Sequence, residues 1–124
     1  MKVGLARLAL KIPNSQSLKA KRKVLRSILD KTRSRFKVSI AEVDKQDKWQ
    51  LSIIGFAYVS AEGKHADEVV QKVIHFIEGL NVAYIIEHNT EILHMGNTWE
   101  NETFVEEDYS DIIDESFFSE KEDS

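Results

Sequence analysis

Between Lys2 and Met95 the spacing of apolar residues switches repeatedly between two periods, and few topologies satisfy the order of the switches. Lys2 to Ile12 alternates loosely, is rich in Val, Leu and Ile, and stops at Pro13-Asn14, the pattern of a strand closed by a turn. From Leu18 the period becomes helical. At about 100° per residue, Leu18, Val24, Leu25, Ile28, Leu29, Thr32 and Phe36 share one arc, which predicts an amphipathic helix to about Arg35 with Ser17 as its N-cap. The stretches "FKVSIAEVD" and "WQLSIIGFAYVSA" are rich in β-branched residues and are joined by the polar "DKQDK", a strand hairpin. Lys64 to Leu80 is helical again through Ala66, Val69, Val70, Val73, Ile74 and Ile77, with Gly79 as a helix stop. "VAYIIEHNTEILHM" then predicts a fourth strand, bent or interrupted near His88-Asn89. The order βαββαβ implies an α+β, ferredoxin-like sandwich: a four-stranded antiparallel sheet with two helices on one face, occupying residues 1–96 as one domain.

The net charge of −4 hides a strong polarity along the chain. Residues 1–48 carry 14 Lys and Arg against 4 Asp and Glu, whereas residues 97–124 carry 1 against 11. A basic first half suits a polyanionic partner, and a terminal block of like charge suits a solvated segment. That segment, "NTWENETFVEEDYSDIIDESFFSEKEDS", interleaves acids with Trp99, Phe104, Tyr109, Ile112, Ile113, Phe117 and Phe118. Such alternation is common in disordered partner-binding segments, so residues 97–124 are expected to form an acidic, flexible C-terminal tail able to contact the chain's own basic helix. The absence of cysteine removes disulfides, thiol catalysis and thiolate metal sites. No apolar run approaches the roughly 18 residues of a membrane span, and "MKVGLARLALKIP" is broken by Arg7 and Lys11 without a cleavage site, so no membrane association and a cytoplasmic location are expected.

Several separated motifs resemble one family. Ser17 to Arg22 opens the first helix, Phe36 to Val43 reads "FKVSIAEV", Asp47 to Gln50 reads "DKWQ", and Gly55 to Ser60 reads "GFAYVS". Together they resemble the YlxP-like family of small bacterial proteins, whose function is unassigned, over roughly residues 2–95. The resemblance implies a ferredoxin-like fold, and the family's frequent gene setting beside translation-initiation and ribosome-maturation genes implies RNA or the ribosome as partner. Ala20 stands where the family usually has Glu, so the reciprocal half of a Ser17 capping box is missing. Lys37 replaces the usual Asn, and the resemblance does not extend to the tail.

The candidate nucleic-acid-binding residues are Lys19, Lys21, Arg22, Lys23, Arg26 and Arg33 on the first helix. All but Lys21 fall within about 100° of arc, interrupted by Asp30, and such a stripe can track phosphates or form an ordinary solvated face. Lys21 falls inside the apolar arc. It can snorkel past the sheet edge, or join Ser17 and the free amides of the helix start in an anion site. Gly55-Phe56-Ala57-Tyr58-Val59 overlaps the middle of the strand signature by which RNA-recognition motifs display stacking aromatics. The signature is incomplete, since Ile54 and Ala61 occupy its basic and last aromatic positions and the first strand has Gly4 near its companion aromatic. Phe56 and Tyr58 share one face of their strand and are candidates for an open-sheet site, either an RNA platform or a dimer interface, with packing in the core as the alternative.

Catalytic readings are weak. His65, His75, His88 and His94 show no ligand spacing, and no Gly-rich phosphate loop or nucleophile elbow is present, so neither cofactor nor metal is expected. Glu42 and Asp44 form a same-face pair on the second strand and could serve acid–base chemistry or Mg²⁺, but suit salt bridges to nearby Lys or Arg better. The sequence therefore suggests a non-enzymatic RNA- or ribosome-associated binding module, with a homodimerising protein-interaction module using the open sheet as the alternative.

Overall fold

The elements follow in the expected order: β1 Lys2–Lys11, α1 Leu18–Arg35, β2 Ser39–Asp44, β3 Leu51–Ser60, α2 Gly63–Gly79 and β4 Tyr84–His94. The structure, a computed structural model, describes residues 1–96. The acidic tail and its contact with the basic helix therefore fall outside the described residues. No described helix is long and apolar enough to cross a membrane.

The strands form one antiparallel sheet in the order β2-β3-β1-β4, the ferredoxin-like arrangement. Leu8, Leu10, Ile54 and Phe56 on the sheet meet Leu25 and Ile28 of α1 and Val70, Val73, Ile74 and Ile77 of α2 in one buried cluster. Directly opposed residues of an antiparallel pair share a face, so the register Leu8↔Ile54 and Ala6↔Phe56 assigns even positions of β1 and β3 to the helices. Gly4 is required by the approach of α2. A Cβ there would lie 2.7 Å from Val70 Cγ2 and 3.2 Å from the Ala66 carbonyl oxygen, leaving no room for an aromatic.

Ser17 Oγ accepts a hydrogen bond from the Ala20 amide at 3.0 Å, so the cap forms without the missing glutamate. Phe36 does not begin β2. It caps α1, and its ring packs edge-on against Phe76 of α2, which delays the strand to Ser39. Gly79 is the last residue of α2 rather than the stop, and it is Asn81 that takes the left-handed conformation, at φ 55°.

Two bulges differ from the sequence reading. In β4 the pairing slips between Ala9↔Glu87 and Leu10↔Ile85, which isolates Ile86, two residues before the expected break at His88-Asn89. In β2 it slips between Glu42↔Ile54 and Asp44↔Ile53. Ile54 faces the helices and Ile53 does not, so the bulge at Val43 separates the carboxylates expected to share a face.

Candidate functional site

The 18 residues of α1 carry two kinds of cation. Lys19, Arg22, Lys23 and Arg26 are exposed, and none makes an ion pair among the described residues. They rise over about 10 Å of helix axis within an arc of about 100°. Arg22 and Arg26 also line a groove with Leu25, Leu29, Asp30, Arg33 and Glu42. Over residues 1–96 there are 16 Lys and Arg against 10 Asp and Glu, so the face sits on a cationic domain.

Lys21 and Arg33 differ. Lys21 is fully buried, and its Nζ lies 3.1 Å from Glu42 Oε2 and donates to the Lys45 carbonyl oxygen. The Ser52 hydroxyl donates to the same carboxylate oxygen at 2.6 Å. Lys21 neither snorkels nor joins Ser17 in an anion site. Its ammonium is consumed inside the fold, because the arc that carries it faces the β2–β3 hairpin. Lys45, at φ 62°, turns the chain so that its carbonyl meets that ammonium. Arg33 spans 3.5 Å to Asp30 and donates from Nη2 to the Ile40 carbonyl at 2.6 Å, fastening α1 to the β2 edge. Of the expected nucleic-acid-binding residues, the structure thus brings four together unpaired, buries Lys21, and ties the half-exposed Arg33 to Asp30 and the Ile40 carbonyl.

Phe56 and Tyr58 are not on the open sheet. Phe56 is 3% exposed in the core, and Tyr58 leans toward α2, its hydroxyl 3.0 Å from His65 Nε2 with the rings edge to face. Their face packs on the helices because it carries Ser52, Ile54 and Phe56 in register with Leu10, Leu8 and Ala6. Phe56 is therefore closed to RNA stacking, and Tyr58 is turned away from the open face. The open face expected from the sequence instead carries the odd-numbered residues of β1 and β3, among them Val3, Leu5, Ile53 and Val59. Among the described residues no group of three His, Cys, Asp or Glu is placed to hold a metal ion. Asp44 is exposed, and its Oδ1 accepts from the Lys45 amide at 2.7 Å, holding the turn and supplying no second carboxylate to Glu42.

Comparison with known proteins agrees with the motif resemblance. The sequence pattern of a family described as Protein of unknown function (DUF503) matches residues 3–90. The chain is 38% identical over 76 residues to the Uncharacterized protein YlxP of Bacillus subtilis (strain 168), covering 61% of this chain and 83% of that protein. Among solved structures, the de novo designed protein Foldit4 aligns over 77% of this chain and all of its own, at 10% identity and a TM-score of 0.45. A dimeric ferredoxin-like protein from an uncultured marine organism aligns over 77% of this chain and 99% of its own, at 13% identity and a TM-score of 0.38.

Proposed function

The chain belongs to the DUF503 family, whose function is unknown, and from that premise we propose that it is a non-enzymatic RNA-binding module that grips phosphates with the exposed face of α1. One observation carries this reading: Lys19, Arg22, Lys23 and Arg26 stand exposed together without a carboxylate partner among the described residues, while Lys21 is buried against Glu42 and Arg33 is paired with Asp30. Unpaired cations on a rigid helix release counterions when they meet a polyanion, and that release favours binding without base readout. With Phe56 in the core and Tyr58 turned toward α2, phosphate contact by α1 does not depend on that aromatic pair. The translation-gene setting implied by the family resemblance makes RNA the polyanion to test.

Fluorescence anisotropy of the full chain with a labelled single-stranded RNA tests it. Neutralising about four phosphates gives a slope near −3 in log affinity against log salt concentration, since each contributes about −0.7 on single strands. No binding at low salt, or a slope near zero, excludes the proposal.

A further inference from the structure

We infer that the open face of the sheet is the docking surface for a second copy of this chain, forming a two-fold dimer with the sheets face to face. The register assigns Val3, Leu5, Arg7 and Ala9 of β1 to this face beside Val59, Ala57, Gly55 and Ile53 of β3. On β4 the residues opposite Val3, Leu5, Arg7 and Ala9 are Leu93, Glu91, Asn89 and Glu87. Val59 is 61% exposed, Val43 53% and Leu93 44%, so large apolar side chains reach water across the width of the sheet from β2 to β4. An apolar patch of this extent on a sheet that packs helices on its other face marks an association surface.

The charges on the face fit a self-complementary partner. Arg7 is the cation at its centre, and it lines a shallow groove with Leu5, Asn89 and Glu91. In a two-fold interface each contact between unlike residues is made twice. An axis crossing the strands between the Leu5 and Arg7 rows places each Arg7 over the Leu5–Glu91 row of the other copy, with the carboxylate one strand spacing, about 4.8 Å, to the side. The guanidinium spans that distance and is paired as it loses water, which a buried cation requires. The small residues Gly55 and Ala57 beside these rows let the side chain lie flat. The area is sufficient as well. The four strands, of 10, 6, 10 and 11 residues, cover roughly 600 Å² per copy, so full overlap of two copies buries about 1,200 Å², the lower bound of stable specific interfaces.

Sedimentation velocity of the full 124-residue chain across a range of concentrations tests the inference. The expected result is a reversible dimer in which Ile53→Asp abolishes association with an unchanged circular dichroism spectrum. Because Ile53→Asp could disturb folding, Arg7→Glu and Glu91→Arg provide a second measurement at solvent-facing positions. Each alone raises the dimer dissociation constant at least tenfold, and the double reversal restores it to within about threefold. A monomer at every concentration overturns the inference, as does a dimer indifferent to these changes. A monomer whose open face is cross-linked to residues 97–124 overturns it too, by assigning the face to the chain's own terminus.

Discussion

Lys21 Nζ lies 3.1 Å from Glu42 Oε2, with the lysine side chain 1% exposed and the glutamate side chain 16% exposed. This ion pair, extended to Ser52 and the Lys45 carbonyl, ties α1 to the β2–β3 hairpin on the helix side of the sheet. It explains why a lysine occupies an apolar arc. A buried ammonium persists only where groups such as a carboxylate and a carbonyl accept its hydrogen bonds.

Removing one partner should therefore cost more than removing both. Lys21→Met leaves Glu42 unpaired and is expected to lower stability by about 3 kcal/mol, the low end for a broken buried pair because Glu42 keeps some water. Lys21→Met combined with Glu42→Leu should recover more than half of that loss. Urea unfolding of the four members of the cycle checks this, and additive losses in the double variant would show that the pair does not act as a unit.

How much of this was legible in the sequence depends on whether the signal was local. The order of elements and the Ser17 cap were, because periods of two and 3.6 and a capping serine are properties of short windows. Lys21 was placed in the buried arc, but its partner lies on a strand 21 residues away and follows from tertiary pairing. The orientation of β3 was not legible. Ile53, Ala57 and Val59 on one face are as apolar as Ile54 and Phe56 on the other, so period-two alternation names no inner side. The bulges at Val43 and Ile86 escaped for a related reason. Each is a slip of pairing between strands, and neither strand carries a glycine or proline at the slip.

Burial of Phe56 separates stability from binding. Phe56→Ala should cost about 3–5 kcal/mol, as for other aromatic residues removed from a packed core, through the cavity left in the buried cluster beside its cross-strand neighbours Ala6 and Ile40. Wherever that variant remains folded, its RNA affinity should match the unaltered chain's within about twofold. Thermal melts with anisotropy at 10 °C check both. A loss of RNA affinity at full stability would return the ring to the binding surface.

The cations of α1 should divide the same way. Lys19→Ala, Arg22→Ala, Lys23→Ala and Arg26→Ala each remove about 0.7 from the magnitude of the salt slope while leaving stability within about 0.5 kcal/mol, because these side chains are exposed and unpaired among the described residues. Arg33→Ala is the control. It loses the bond to the Ile40 carbonyl, so stability should fall by about 1 kcal/mol with the slope unchanged. If Arg33→Ala flattened the slope as much as Arg26→Ala, the division of the helix into binding and packing cations would be wrong.

The polarity of charge along the chain sets the acidic segment against the basic helix. Residues 97–124 carry 11 acids against one lysine and are tethered to a domain with 16 Lys and Arg against 10 Asp and Glu. Tethering would raise the effective concentration of that negative charge near the cationic face of α1, where it would compete with any phosphate chain arriving from solution. Neutralising part of it within the intact chain, with Glu106→Gln, Glu107→Gln, Asp108→Asn and Asp111→Asn, should strengthen RNA binding. The gain should be severalfold at low ionic strength. It should shrink as salt rises, since at 0.15 M exposed charges more than about 8 Å apart are largely screened. A hydrophobic role for Trp99 or Phe104 would not produce this dependence, because burial of apolar surface is not weakened by moderate salt. Equal affinities for the two chains at low ionic strength would therefore show that the acidic segment does not oppose the basic helix.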